Sequence, residues 1–237
     1  MGTRISVGKS GLFWTFFEPF FQVFIFVALH AALSSSSSFD MGIFMASGFV
    51  PFNMFRSILN SSSGAFLANR GLFSYKQVKP FDTIISRALV ELFLTSIISL
   101  IFLSIGFFLG YQNFLPENAS MVILAYLWLW IFSVGFGLLV AIGNTFFISV
   151  GKVVALSTFG LMILSAVFYP LITLPPAIQE LLLYNPLVHF MEMAHGFYMY
   201  ELDTRFVDYY YMALWTVLPW FIAIWLYGML EKRLVSE

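Results

Sequence analysis

Six apolar runs, separated by short polar breaks, fill nearly all of this 237-residue chain. They cover about residues 12–33, 41–59, 88–109, 121–142, 153–171 and 209–230. Each is close to the roughly 20 mostly apolar residues that a bilayer-spanning helix needs. The pattern predicts six membrane-spanning helices in one membrane domain over residues 1–237, with loops as the only soluble mass. The first run is too long for the apolar core of a signal peptide, and no small-residue cleavage site follows it. Ser34 to Ser38 read as a flexible exit loop, so the first helix is expected to be kept.

Composition supports this class. The chain is 60% hydrophobic and 10% charged, against about a quarter charged in soluble domains. A net charge of −1 gives no sign of nucleic-acid binding, and zero Cys excludes disulfides and thiolate chemistry. Charge then sets topology. Arg4, Lys9, Arg70, Lys76, Lys79, Arg87, Lys152, Lys232 and Arg233 all fall on one face of a six-span arrangement. The other face holds Asp40, Glu117, Glu180, Glu192, Glu201, Asp203 and Asp208, with Arg205 as its one base. Basic loops stay cytoplasmic, so both termini are expected inside.

Two inter-span segments are long. Residues 60–87, on the expected cytoplasmic side, open with a Ser/Gly break, continue as a mildly amphipathic stretch and stop at Lys79-Pro80. Proline disfavours helix in the residue before it, and Asp82 is placed to cap the first turn that follows. Residues 172–208, on the expected external side, are divided by Pro175-Pro176 and Asn185-Pro186 into apolar pieces too short to span. They read as interfacial or re-entrant helices, tolerated where protein or water covers their ends. The halves of the chain show no obvious duplication, which argues against an inverted-repeat transporter.

Candidate chemistry is sparse. Gly8-Lys9-Ser10 resembles the end of a phosphate-binding loop, but the required earlier Gly is Thr3 and no strand precedes it. Lys9 therefore reads as a headgroup anchor, and any ATP-driven step needs a separate motor. His189, Glu192 and His195 follow HxxExxH spacing. On a helix these positions spread over about a third of the circumference, and the paired histidines of the zincin motif are absent. The preferred reading is a polar stripe facing water or a partner, with no metal. No GxSxG elbow or credible catalytic triad exists. Gly106 and Gly110 form a GxxxG on the third run, a weak pointer to close helix packing.

Glu18, Arg56 and Glu91 lie inside or near the ends of spans. A charge at mid-bilayer costs about 2.5–3.5 kcal/mol on insertion scales and so faces protein or water. Pairing with one another competes with a role in gating or in gripping a polar substrate; Arg87 and Glu91 are also four residues apart, a spacing at which helix side chains meet. Thirty Phe contribute to a 20% aromatic content, with Phe13, Trp14, Phe16, Phe17, Phe20, Phe21, Phe24 and Phe26 on the first run. Most read as lipid-facing packing. The functional alternative is a conduit whose large, rigid rings let sugars slide past, with Phe13, Trp14, Phe17, Glu18, Phe20, Arg56 and Glu91 as its candidates.

Three stretches carry a resemblance. Gly71-Leu72-Phe73-Ser74-Tyr75, with Val78-Lys79-Pro80-Phe81-Asp82 through Leu89, resembles the cytoplasmic loop of capsular-polysaccharide ABC exporter permeases. Leu183-Tyr184-Asn185-Pro186-Leu187-Val188-His189, with Glu192, resembles that family's external LxNPLVHxxE segment. Gly8-Lys9-Ser10 through Leu12, Trp14 and Glu18-Pro19 resembles the entry to its first span. Family members usually begin with a longer amphipathic segment; about eleven residues precede the first run here, so the start is either shortened or cut and that segment's role is not carried over.

The resemblance implies the type-2 ABC exporter fold: six transmembrane helices, a cytoplasmic coupling helix and short external re-entrant helices. It implies two copies of this chain and two separate ABC ATPases that carry ATP and Mg, this chain holding no cofactor and no catalytic residue. Arg70, Phe73, Tyr75, Lys76, Lys79 and Asp82 would couple to the ATPase. Tyr184, Asn185, Pro186, His189 and Glu192 would form the external segment. The implied cargo is lipid-linked capsular polysaccharide, moved across a Gram-negative inner membrane toward a periplasmic co-polymerase and an outer-membrane channel, among membrane lipids and without nucleic acid. Rival readings are a type-2 permease for O-antigen, teichoic acid or a drug, a membrane enzyme acting on lipid-linked glycans through His189, Glu192 and His195, and a motor-free channel or scramblase.

Overall fold

A computed structural model describes residues 41–236 except 74, 76, 109 and 111–113, together with 17, 20–22, 24 and 25. Every element in it is helical. In chain order these are α1 (Met41–Ser63), α2 (Ala65–Ala68), a 3-10 turn (Arg70–Leu72), α3 (Pro80–Phe108), α4 (Ala119–Phe146), α5 (Ser149–Leu164), a second 3-10 turn (Leu171–Thr173), α6 (Pro176–Leu182), α7 (Pro186–Tyr198) and α8 (Tyr209–Ser236).

Among the described residues, four helices are long and apolar enough to cross a membrane: Met41–Ser63, Pro80–Phe108, Ala119–Phe146 and Tyr209–Glu231. They correspond to four of the six expected spans. The expected first span lies mostly outside the described residues; Phe17, Phe20, Phe21, Gln22, Phe24 and Ile25 within it are helical. The expected fifth span, 153–171, is instead the 16-residue α5. At 1.5 Å per residue that is about 24 Å, short of a roughly 30 Å hydrocarbon core. The chain turns where Ala166 takes a left-handed φ of 56°, a conformation unusual for any residue but Gly.

The third span starts earlier than the apolar pattern indicated. Pro80 opens α3, where its fixed φ and missing N–H cost nothing, and Asp82 Oδ2 accepts from the Lys79 backbone N–H at 2.9 Å. Likewise Asn118 Oδ1 accepts from Met121 N–H at the start of α4, and Asp208 Oδ1 from Tyr211 N–H at the start of α8. Asn118 and Asp208 are N-cap side chains that satisfy orphan donors of the first turn, whereas Asp82, at the third helical position, reaches back to the residue before the helix as in a capping box. Among the described residues, Gly106 and Gly110 meet no second helix. A Cβ on Gly106 would meet Phe114 Cβ at 2.9 Å, while Gly110 lies past the end of α3 in open space with φ 70°.

Burial separates the spans. Over its most apolar window α1 is 78% buried, whereas those of α3 and α8 are 17% buried. Accordingly α1 carries buried polar residues, Ser47, Asn53, Ser57 and Ser62. On α3 and α8, Leu89, Phe93, Leu100, Phe107, Leu214, Val217, Phe221 and Trp225 are exposed. Such outward apolar residues suit lipid, where tight packing rather than apolar burial drives helix association.

The chain forms two compact units. One comprises Met1–Asn53, Thr95–Tyr126 and Met162–Val207. Its core includes Ala166, Leu171, Leu182 and Val188, flanked by Tyr169, Leu174, Leu183 and Phe206. The other comprises Met54–Leu94, Leu127–Leu161 and Asp208–Glu237. There Trp130 Nε1 donates to the Ala88 carbonyl at 2.8 Å, Trp128 Nε1 to Thr216 Oγ1 at 3.0 Å and Trp220 Nε1 to the Ile131 carbonyl at 2.8 Å. Gly135 admits the Trp220 ring, since a Cβ at 135 would lie 2.7 Å from Trp220 Cδ1.

Candidate functional sites

The second unit contains the loop that joins α1 to α3. Its helical content is one turn of α2 and the 3-10 turn at Arg70–Leu72. Asn69 Nδ2 donates to the Ala65 carbonyl at 2.7 Å, closing the single turn of α2 with a side chain before the 3-10 turn begins. Phe66 and Phe73 are buried and anchor the loop, whereas Leu67, Arg70, Leu72, Tyr75 and Lys79 are exposed. The exposed set mixes apolar side chains with two cations, which suits a protein contact better than lipid. Asp82 is exposed and bonded back to Lys79. Lys76 lies outside the described residues.

The C-terminal end of α1 feeds that loop, and it is tied down from two sides. Arg87 Nη1 on α3 donates to the Ser61 carbonyl at 2.5 Å. Asn144, in the last turn of α4, donates through Nδ2 to the Ser63 carbonyl at 2.6 Å and accepts through Oδ1 from Gly151 N–H at 2.8 Å. Helix α1 has no basic residue of its own in its last turn, so other helices supply donors to its terminal carbonyls. Arg87 and Glu91 share a spacing at which helix side chains meet; Arg87 also reaches the α1 terminus. Arg56 and Glu91 are half-buried.

The first unit contains residues 165–207. Asn185 is the hinge of this segment. Its side chain accepts from Leu187 N–H at 3.1 Å, capping α7, and Pro186 occupies the first turn. The same carboxamide donates to the Leu164 carbonyl at 3.1 Å and to Ser165 Oγ at 2.9 Å, closing the end of α5. Tyr169 Oη adds a bond to the Ile163 carbonyl at 2.7 Å. The far end of α7 is closed by Glu117 and Asn118, whose N–H groups donate to the carbonyls of Tyr198 and Phe197. Tyr184 is exposed.

His189, Glu192 and His195 do not form a water-facing stripe. They are 4%, 7% and 1% exposed. His189 and Glu192 meet backbone groups of the broken helices around them. His189 Nε2 lies 2.9 Å from the Leu183 carbonyl, and Glu192 Oε1 accepts from Leu171 N–H at 3.4 Å. His195 stacks on Phe44, and neither of its ring nitrogens makes a well-formed hydrogen bond among the described residues. Burial raises the Glu192 carboxyl to about 7; the Leu171 N–H and Arg205 oppose that rise and Asp203 adds to it. Burial also lowers the His195 imidazole to about 3, with the Phe44 backbone partly opposing. Among the described residues, no group of three or more His, Asp or Glu is placed to hold a metal ion.

Of the conduit candidates on the first run, Phe13, Trp14 and Glu18 lie outside the described residues. Phe17 is exposed and stacks on Phe21 at 5.4 Å; Phe20 is half-buried and stacks on Phe102 at 4.4 Å. Sequence reasoning passed over Asn144. The available signal was a lone carboxamide in the last turn of a very apolar helix, followed seven residues later by Gly151.

Residues 3–199 match the family described as ABC-2 type transporter. The chain belongs to that membrane-transporter family. It is 31% identical to the "Polysialic acid transport protein KpsM" of Escherichia coli, over 99% of this chain and 92% of the relative. It is 27% identical to the "Capsule polysaccharide export inner-membrane protein CtrC" of Neisseria meningitidis serogroup B, covering 83% and 74%. Against the "Capsule polysaccharide export inner-membrane protein BexB" of Haemophilus influenzae it is 28% identical, covering 83% and 75%. The matched residues take in three of the four long apolar helices and most of segment 165–207, while α8 lies beyond them.

Proposed function

We propose that this chain is the membrane-spanning permease subunit of an ABC exporter that moves lipid-linked capsular polysaccharide across the inner membrane of a Gram-negative bacterium. The observation that carries this reading is near-full-length similarity to the E. coli polysialic acid transport protein, with two further capsule-export proteins similar over most of the chain.

The subunit is non-catalytic. ATP and Mg act on two separate ABC ATPases, and two copies of this chain form the membrane part. The loop from 64 to 79 lies on the cytoplasmic side with both termini, and docks the ATPase through Arg70, Leu72, Tyr75, Lys76 and Lys79. Phe73 anchors the loop, and Asp82 sets the start of α3. Closure of the ATPases pushes on that loop, which joins the ends of α1 and α3, so the motion enters both helices at once. The polymer passes between the two protomers, with aromatic rings of the first span and the half-buried Arg56 and Glu91 along the path. Residues 165–207 lie on the external side, gate the exit and meet the periplasmic co-polymerase that leads to the outer-membrane channel.

The test is loss of the chain in its own host. Export function requires surface polymer to disappear while lipid-linked polymer accumulates inside the cell, with restoration by the intact gene. Normal surface polymer in the deletion strain would overturn the reading.

A further inference from the structure

The end of α1 is held more tightly than a helix terminus requires. Ser62 is fully buried, and a Cβ on Gly137 of α4 would lie 2.8 Å from its Oγ. A Cβ on Gly151 would lie 3.0 Å from Asn144 Oδ1 and 3.3 Å from Ser63 Cβ. Glycines therefore let two further segments close on the Ser61–Ser63 turn. Asn144 is 7% exposed, and its carboxamide uses both ends, donor to Ser63 and acceptor from Gly151. Arg87 holds Ser61 from α3. One turn of α1, one of α3 and the α4–α5 corner are thus joined by three hydrogen bonds at the root of the 64–79 loop.

We propose that Asn144 is a positioning residue for transport coupling: its carboxamide ties the root of the 64–79 loop to the α4–α5 corner, so that displacement of the loop moves α4 and α5 together with α1 and α3. The proposal rests on the permease reading above. Without this tie, loop motion would be spent in unwinding the last turn of α1, whose terminal carbonyls would be left to water. A carboxamide suits the task because it supplies one donor and one acceptor in fixed geometry; aspartate keeps only the acceptor and alanine neither.

The experiment uses the permease–ATPase complex reconstituted in liposomes, reading ATP hydrolysis and polymer translocation on the same sample. Asn144→Ala should lower translocation by about tenfold, the scale of coupling carried by a connecting residue, while hydrolysis per complex and ATPase co-purification stay at the wild-type level. A second variant restores the tie covalently. With Asn144→Ala, Ser63→Cys and Gly151→Cys combined, the Cβ separation is near the roughly 3.5–4.5 Å of a disulfide, and the chain has no other Cys. Oxidation should restore translocation and reductant should remove it. Unchanged translocation in Asn144→Ala overturns the proposal. So does joint loss of translocation, hydrolysis and ATPase co-purification that oxidation of the triple variant fails to reverse, because Asn144 would then serve folding alone. If the wild-type chain brings down no ATPase, the permease reading itself fails, separately from the role of Asn144.

Discussion

The imidazole of His195 lies flat against the ring of Phe44, with centroids 4.0 Å apart and planes 24° from parallel. The two residues come from α7 and α1, and Gly48, one turn along α1, makes room for them. An added Cβ at Gly48 would overlap His195 Nε2 and sit 3.1 Å from the Val167 carbonyl. Gly48→Ala should therefore destabilise by about 1–3 kcal/mol through overpacking. Combining it with His195→Ala should recover part of that loss. Thermal melting of the detergent-solubilised protein checks both, and equal midpoints for Gly48→Ala and wild type would refute the contact.

Glu192 and His195 titrate in opposite senses. Glu192 is raised from 4.5 to about 7, so between those values the folded state holds a proton that the unfolded chain has lost, and stability falls as pH rises. His195 is lowered from 6.5 to about 3, so between those values the unfolded chain binds the proton, and stability rises with pH. Each slope is at most about 1.4 kcal/mol per pH unit. From about pH 4.5 to 6.5 the two oppose each other. Glu192→Gln should unmask a melting midpoint that climbs with pH in this window, and His195→Phe one that falls. Parallel profiles for the three proteins would rule this out.

Asn185 serves two helices with one carboxamide. Asn185→Asp keeps the acceptor for Leu187 N–H but loses the donors to Leu164 and Ser165. Asn185→Ala loses all three. The expected order of stability is wild type, then Asp, then Ala, with Ala lower by about 1–2 kcal/mol as for a lost cap. Denaturation in mixed micelles measures the order, and an Ala variant as stable as wild type would contradict it.

The exposed cations of the 64–79 loop carry the docking claim. Lys79→Glu and Arg70→Glu reverse charge without touching the buried anchors Phe66 and Phe73. Both should release the partner ATPase and reduce surface capsule. Full capsule together with unchanged ATPase recovery would exclude this face as the docking surface.

The long spans were legible because their apolar runs exceed what any loop or short core helix would carry. Asn185-Pro186 was legible as a break for the reason the structure displays: Asn caps and Pro starts a helix. The start of α3 was legible in Lys79-Pro80 and Asp82 but not in the apolar run, which begins at Ala88 because the first two turns, Pro80 to Arg87, mix polar and apolar residues. The burial of His189, Glu192 and His195 left no trace in their spacing. Spacing defines an arc on α7, but Leu171, Leu183 and Phe44 cover that arc, and two of these partners act through backbone groups that no residue pattern encodes. Asn144 was missed likewise, since its partners Ser63 and Gly151 offer only a carbonyl and an N–H.

The central claim is that this chain works as a permease driven by a separate motor, and recovery of its partners tests it most directly. The tagged protein should be drawn from its native membrane in mild detergent and the co-purifying proteins identified by mass spectrometry. The account predicts an ABC ATPase in near-stoichiometric amount. Its reproducible absence, from protein that melts cooperatively, would contradict the account and favour an enzyme or a motor-free channel.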